Sequence, residues 1–135
     1  MAEARIIRFD EQQPIDRGNG AASVPLLLKE TGASSFIAGV STFQPGVAVP
    51  RHSHNTDELV TVLEGAGECE VEGVVTPVKA LDSTFIPAGL THCFRNTGAA
   101  PMRIQWVYAS TDVTRTFADT GKTVPHLSEE DRVGQ

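Results

Sequence analysis

The sequence predicts an all-β sandwich or barrel. Short runs rich in β-branched and aromatic residues recur along the chain. Gly, Pro and Asn separate them, and no stretch carries a long helical period. Many short strands between turn residues, without long helices, indicate two packed sheets or a closed barrel.

In chain order, residues 4–9 (ARIIRF) read as a short strand and residues 11–22 as loop, because Pro, Gly and Asn punctuate them. Residues 23–30 read as a strand, with Pro25 placing it at an edge. Thr31, Gly32 and Ala33 form a turn. Residues 34–44 read as a strand in which Phe36, Ala38 and Val40 share one face and Ile37, Gly39, Ser41 and Phe43 the other. A Gln44-Pro45-Gly46 turn leads into the histidine strand. After Glu58 a strand continues to Gly65. Residues 67–73 and 74–79 pair as a hairpin about Glu72 and Gly73, with Pro77 marking an edge or a bulge. Residues 83–87 form a short strand ending in the turn before His92, and 102–110 a further strand. The polar tail, 111–135, is expected outside the barrel. In it, residues 128–131 (SEED) are read either as a short helix capped by Ser128 or as disordered.

The chain has 135 residues, enough for one domain with a real core and too few for two. No internal repeat is present, so residues 1–135 read as one domain, with a barrel core at about 23–110. The net charge of −6 disfavours nonspecific nucleic-acid binding, which needs a basic surface. No apolar run approaches the roughly 20 residues of a membrane helix. The acidic, h-region-free start is not a secretory signal, so a reducing cytoplasm is the expected compartment. Cys69 and Cys93 have neither metal nor redox spacing and are expected as small packed hydrophobes.

The chemistry lies in two stretches. In GVAVPRHSHNTDELVTVLEG, 46–65, His52 and His54 stand two apart, so an extended strand aims both imidazoles at one point. A loop or bulge at Asn55, Thr56 and Asp57 then returns Glu58 to that point. In PAGLTHCFRN, 87–96, His92 follows a Pro-x-Gly turn. Imidazoles with a carboxylate suit Fe, Mn, Ni, Zn or Cu.

Gly46, His52, His54, Glu58 and Gly65 match the first cupin motif, G-x5-H-x-H-x3-E-x6-G, at every fixed position. Pro87, Gly89, His92 and Asn96 match the second, G-x5-P-x-G-x2-H-x3-N, in which Leu81 replaces the leading glycine. The chain therefore resembles a small single-domain cupin. The resemblance implies an all-β, cupin-type double-stranded β-helix (jelly-roll barrel) and one divalent transition metal per chain, held by His52, His54, Glu58 and His92. It also implies a small-molecule substrate or ligand, and a homodimer in which an N-terminal strand joins the partner's sheet.

Bland readings compete elsewhere. Asp57 is expected to face solvent and Asn96 to make structural hydrogen bonds. Alternation sends Cys93 away from the metal. Trp106 and Tyr108, with Met102 and Ile104, read either as pocket-lining or as outer-face residues. His126 reads as a surface residue of the tail. Arg51 and Arg95 flank ligands and suit either a substrate carboxylate or surface ion pairs.

Four protein ligands leave about two positions of an octahedral ion open. The leading reading is a dioxygenase-like reaction on a small carbonyl or phenolic substrate. The second is a redox-inert isomerase, cyclase or lyase, and the third is a non-catalytic ligand-binding cupin. Fold alone does not choose among them.

Overall fold

The computed structural model describes residues 3–133. Two six-stranded antiparallel sheets face each other as a jelly-roll barrel. The first runs β1 (Ile15–Gly18), β2 (Ala21–Leu27), β3 (Ile37–Phe43), β10 (Met102–Tyr108), β5 (Glu58–Glu64) and β8 (Ser83–Ile86). The second runs β12 (Thr123–Pro125), β11 (Thr114–Phe117), β4 (His52–His54), β9 (His92–Arg95), β6 (Ala66–Val71) and β7 (Val74–Lys79). Among the described residues no helix is long and apolar enough to cross a membrane.

Period-two burial sorts the side chains. Along β10, Met102, Ile104, Trp106 and Tyr108 are buried and the residues between them are partly exposed. All four therefore point into the barrel, which settles the pocket-or-outside alternative for Trp106 and Tyr108. Phe43, Val60, Val62, Ile86, Phe94, Met102 and Ile104 fill one end of the barrel. Trp106, Tyr108, Ile37 and Val113 form a smaller cluster. Gly39 lies opposite Trp106 in the β3–β10 ladder, and a Cβ there would lie 2.2 Å from the indole ring. Glycine is thus what lets the indole lie across β3.

Several expected elements differ. Residues 4–8 form no strand, because the edge of the first sheet is already taken by β1, inside the stretch read as loop. Gly18, Asn19 and Gly20 all have positive φ and close a β1–β2 hairpin. Their composition signalled the turn, while the flanking strands were too short to read. Strand β2 lies between β1 and β3, so Pro25 is not on a sheet edge; however, the β1 pairing ends at Ser23, leaving Pro25 without a neighbour on that side. Pro77 does sit on an edge strand, β7.

The tail differs most. Residues 114–117 and 123–125 are β11 and β12, and they extend the second sheet beyond β4. The barrel therefore continues past the expected boundary at 110. Residues 128–131 form a turn and no helix. The Asp131 carboxylate does not serve a helix N-terminus; it is drawn into the barrel by two arginines.

Candidate metal centre

Both sheets contribute. His52 and His54 face inward from β4, and His92 lies opposite His52 on β9. Glu58 arrives from the other sheet: residues 55–57 carry the chain across the barrel, and Glu58 opens β5 opposite Tyr108. The expected return of Glu58 is thus a change of sheet. Asn55 fixes this crossing by donating to the Asp112 carbonyl at 2.9 Å and accepting from the Thr114 amide at 2.8 Å. Asp57 accepts from the Ala88 amide at 2.9 Å, pinning the turn before His92.

The imidazole centroids of His52, His54 and His92 lie 4.4–5.3 Å apart. One ring nitrogen from each falls within 4.8 Å of the other two. The Nδ1 of His52 meets the Pro50 carbonyl at 2.6 Å, that of His54 the Thr114 carbonyl at 2.9 Å, and that of His92 the Leu90 carbonyl at 2.9 Å. A carbonyl only accepts, so each Nδ1 carries the proton and each Nε2 presents a lone pair. The Glu58 Oε1 lies 3.2 Å from His92 Nε2 and 3.7 Å from His54 Nε2. Three lone pairs and a carboxylate oxygen converge in a buried space, and only a cation or a proton among them makes that approach attractive. The donor set therefore fits a divalent transition ion held by imidazole nitrogens. The backbone carbonyls supply the orienting hydrogen bonds that ligating histidines require.

Burial, with a smaller contribution from the charge of Arg115, pushes His52 well below the ordinary histidine range. Burial also lowers His54 to about 4, against the opposing pull of Glu58. Both imidazoles are therefore neutral at neutral pH. Burial on its own would raise Glu58, but its contacts with His92 and His54 and, more weakly, the charge of Arg115 hold it below the usual carboxylate range. Burial and the neighbouring Glu58 charge push the Tyr108 phenol well up, so it keeps its proton. Its O–H donates to His54 Nε2 at 3.2 Å.

His126 is not a free surface residue. Its ring packs edge-on against Trp106 at 4.9 Å and Tyr108 at 4.8 Å and lies 6.3 Å from His54. The turn that follows β12 places it there. Arg51 and Arg95 resolve as ion pairs: both bind Glu70 on the outer side of the second sheet, Arg51 through Nε at 2.5 Å. Cys93 and Cys69 are buried free thiols, and burial raises the pKa of both. Asn96 donates to the Phe43 and Ala100 carbonyls, the structural role expected of it.

Sequence reasoning missed a buried polar group beside the histidines. Arg17, Arg115 and Asp131 lie in sequence far from both motifs, and no local periodicity marks them. Asp131 pairs with both arginines, and Arg17 and Arg115 line a cavity with His52, Glu58, His92, Trp106, Tyr108 and His126. Its volume of about 40 Å³ holds two or three waters, at roughly 10–15 Å³ each.

A family model described as a cupin domain matches residues 39–108. Protein SchB from Streptomyces halstedii is 34% identical over 103 residues, covering 76% of this chain and 75% of that protein. Polyketide synthase CurC from Streptomyces cyaneus is 30% identical over 101 residues, covering 74% of this chain and 66% of that protein. Among solved structures, the polyketide cyclase RemF from Streptomyces resistomycificus superimposes with a TM-score of 0.73 at 19% identity, covering 96% of this chain and 90% of that one. At that identity the likeness speaks for the fold alone.

Proposed function

Because the chain belongs to the cupin domain family, we propose that it is a metal-dependent enzyme, a single cupin domain acting on a small carbonyl or phenolic substrate. The observation that carries this reading is the cluster of one ring nitrogen from each of His52, His54 and His92 within 4.8 Å of one another, with the Glu58 carboxylate 3.2 Å from His92 Nε2 and 3.7 Å from His54 Nε2. His52, His54 and His92 would hold the ion, with Glu58 as its fourth ligand. The ion would supply Lewis-acid polarisation of a substrate oxygen and, if it is iron or copper, a path for electrons. The protein's own share is orientation. The three backbone carbonyls fix the imidazole tautomers, and Phe43, Phe94 and Ile104 give the cavity an apolar wall. Tyr108 presents a protonated phenol at the cavity wall, suited to donating a hydrogen bond to a substrate oxygen as negative charge develops there.

Of the expected reactions, the redox-inert one leads: isomerisation, cyclisation or elimination through a stabilised enolate or phenolate. It is supported by CurC, a relative across 74% of this chain whose name places it in polyketide synthesis, since polyketides are carbonyl- and phenol-rich. The dioxygenase-like reading, which leads from the sequence alone, becomes second here and rests on the same ligand set, which suits iron equally. A non-catalytic binding role is the third. The buried free thiols Cys69 and Cys93 suit a reducing cytoplasm. A homodimer is supported by the apolar outer face that Leu59 and Phe85 build as cross-strand neighbours, with Leu63 also exposed.

The test is elemental analysis of untagged protein, followed by anaerobic and aerobic assays on diketones and polyketide-like phenols. Near-stoichiometric zinc, nickel or manganese with anaerobic turnover supports the leading reading. Iron or copper with matched oxygen uptake moves the weight to the dioxygenase. Protein that takes up no metal even after reconstitution overturns the metalloenzyme. Sedimentation as a clean monomer across micromolar concentrations removes the dimer.

A further inference from the structure

The barrel holds a polar cluster that the metal ligands do not need. The Asp131 carboxylate is fully buried and bridges two guanidinium groups: Oδ2 lies 2.9 Å from Arg17 Nη2, and Oδ1 lies 2.8 Å from Arg115 Nε. Both arginines are themselves more than nine-tenths buried. Taking an ion out of water costs several kcal/mol even after relaxation, so a second guanidinium set against one carboxylate calls for an explanation. Arg17 has a contact at each of its three nitrogens, with Nη2 held by the ion pair to Asp131 alone. Its Nε donates to the Asp131 carbonyl at 2.9 Å and its Nη1 to Ser23 Oγ at 2.9 Å. Ser23 in turn contacts the Ser41 hydroxyl, which accepts from Trp106 Nε1. Arg115 is less fully engaged: its Nη1 is buried and has no hydrogen-bond partner among the described residues.

The fold directs that free donor. Arg115 stands opposite His54 in the β4–β11 ladder, so the two side chains leave the sheet on the same inner face. Arg115 lines the cavity together with His52, Glu58 and His92. The charges give the sign of the missing partner. The two arginines outweigh Asp131 by one positive charge, and Glu58 cancels it. A divalent ion on the histidines would then leave the cavity with two positive charges.

We propose that Arg115 is a substrate anchor, and that the cavity takes a small anion, a carboxylate or an enolate, with one oxygen on Arg115 Nη1 and the other toward the histidine centre. This rests on the metalloenzyme reading and narrows its substrate class to anionic carbonyl compounds. The cavity volume of about 40 Å³ suits a group no larger than a carboxylate. A guanidinium, unlike a lysine, offers Nε to Asp131 and Nη1 to the ligand at fixed relative geometry. Asp131 and Arg17 act on the ligand only through Arg115 and are positioning residues.

The probe is acetate, with acetamide as the neutral control, titrated into zinc-loaded and metal-free protein. Binding is read from the Arg side-chain Nε–H signals in ¹H–¹⁵N spectra, and zinc content is measured on each sample. The expected result is a saturable shift of the Arg115 signal with acetate and none with acetamide. Acetate affinity should fall at least tenfold in Arg115→Met, which leaves Arg17 and Asp131 as a one-to-one pair, while zinc content stays at the wild-type level. Arg115→Lys, which keeps a cation beside Asp131 and loses the fork, should also lose affinity. If Arg115→Met does not fold, Arg115→Lys and the wild-type Arg115 signal decide the matter. Equal acetate affinity in a folded variant, or an Arg115 signal that acetate leaves unmoved, overturns the anchor. Failure of the wild-type protein to take up any transition metal overturns the metalloenzyme reading alone; an Arg115 signal that still moves with acetate in that protein upholds the anchor.

Discussion

The His54 Nδ1–H donates to the carbonyl of Thr114 at 2.9 Å, a bond that joins a motif histidine to a strand sixty residues further along the chain. Without that carbonyl, the His54 ring has no fixed tautomer and no fixed direction. The C-terminal strands thus complete the centre as well as the sheet. The motif supplies the clustered imidazoles, and β11 supplies part of what orients them.

Asn55 is the residue that holds these two parts together, through the Asp112 carbonyl and the Thr114 amide. Asn55→Ala removes both bonds without touching a ligand. Two hydrogen bonds of ordinary worth predict a loss of about 1–3 kcal/mol in stability. Loss of a supporting contact to a ligating histidine predicts metal affinity about tenfold weaker. Urea denaturation and a competitive zinc titration measure the two effects. Wild-type zinc affinity in Asn55→Ala would show that the crossing loop does not position His54.

Gly39 and Trp106 make a second prediction. A methyl group at position 39 would occupy space held by the indole, 2.2 Å from its nearest carbon. The indole cannot move freely, because its Nε1–H is bonded to Ser41 and its face meets His126. Gly39→Ala is therefore expected to destabilise the fold by about 1–3 kcal/mol, the usual cost of overpacking. The smaller side chain in Gly39→Ala/Trp106→Leu should return part of it. A denaturant midpoint equal to wild type in the single variant contradicts this account of the glycine.

The motif residues were legible because their information is local: two histidines two apart, a carboxylate four further on, and a histidine after a Pro-x-Gly turn. The alternation along β10 was equally visible, but which face turned inward was not, since that depends on the sheet packed against it. What could not be read is long-range. Arg17 and Asp131 meet across 114 positions, and β11 is a four-residue polar strand that exists because β4 offers it a ladder. His126 lacks any local signal, since its burial depends on the turn after β12. Each miss is a residue whose role is set by a partner distant in sequence.

The buried histidines make the metal-free protein sensitive to acid, and the sign follows from their direction of shift. His54 titrates at about 4 in the folded chain and at the ordinary 6.5 in the unfolded one. Between these values the unfolded state binds more protons, so stability falls as pH drops from about 6.5 toward 4 and levels off below. His52 is shifted the same way. Glu58, lowered in the folded state, adds loss in the same direction as pH falls through its folded value. The expected loss from His54 alone is on the order of 3 kcal/mol, taking about 1.4 kcal/mol per pH unit. Urea midpoints of chelator-treated protein between pH 8 and pH 4.5 test it. A flat profile would mean that these imidazoles are not held neutral by burial.

Leu81 carries the last prediction. It stands where the second motif has its glycine, and its φ of +76° shows why a glycine belongs there. The turn is otherwise well made. Leu81 N–H donates to the Val62 carbonyl at 2.7 Å, and the Asp82 carboxylate accepts from the Lys79 amide at 3.0 Å. The Leu81 side chain is 81% exposed, so it returns little burial for its conformation. A non-glycine residue in the left-handed region costs about 1–2 kcal/mol. The greater freedom of glycine in the unfolded chain takes back roughly 0.5–1 kcal/mol. Leu81→Gly is therefore expected to raise stability by up to about 1 kcal/mol, with metal content unchanged because the turn lies away from the ligands. Chemical denaturation reads the first effect and elemental analysis the second. A destabilised Leu81→Gly would mean that Leu81 makes contacts, for instance across a dimer interface, that offset its strained backbone.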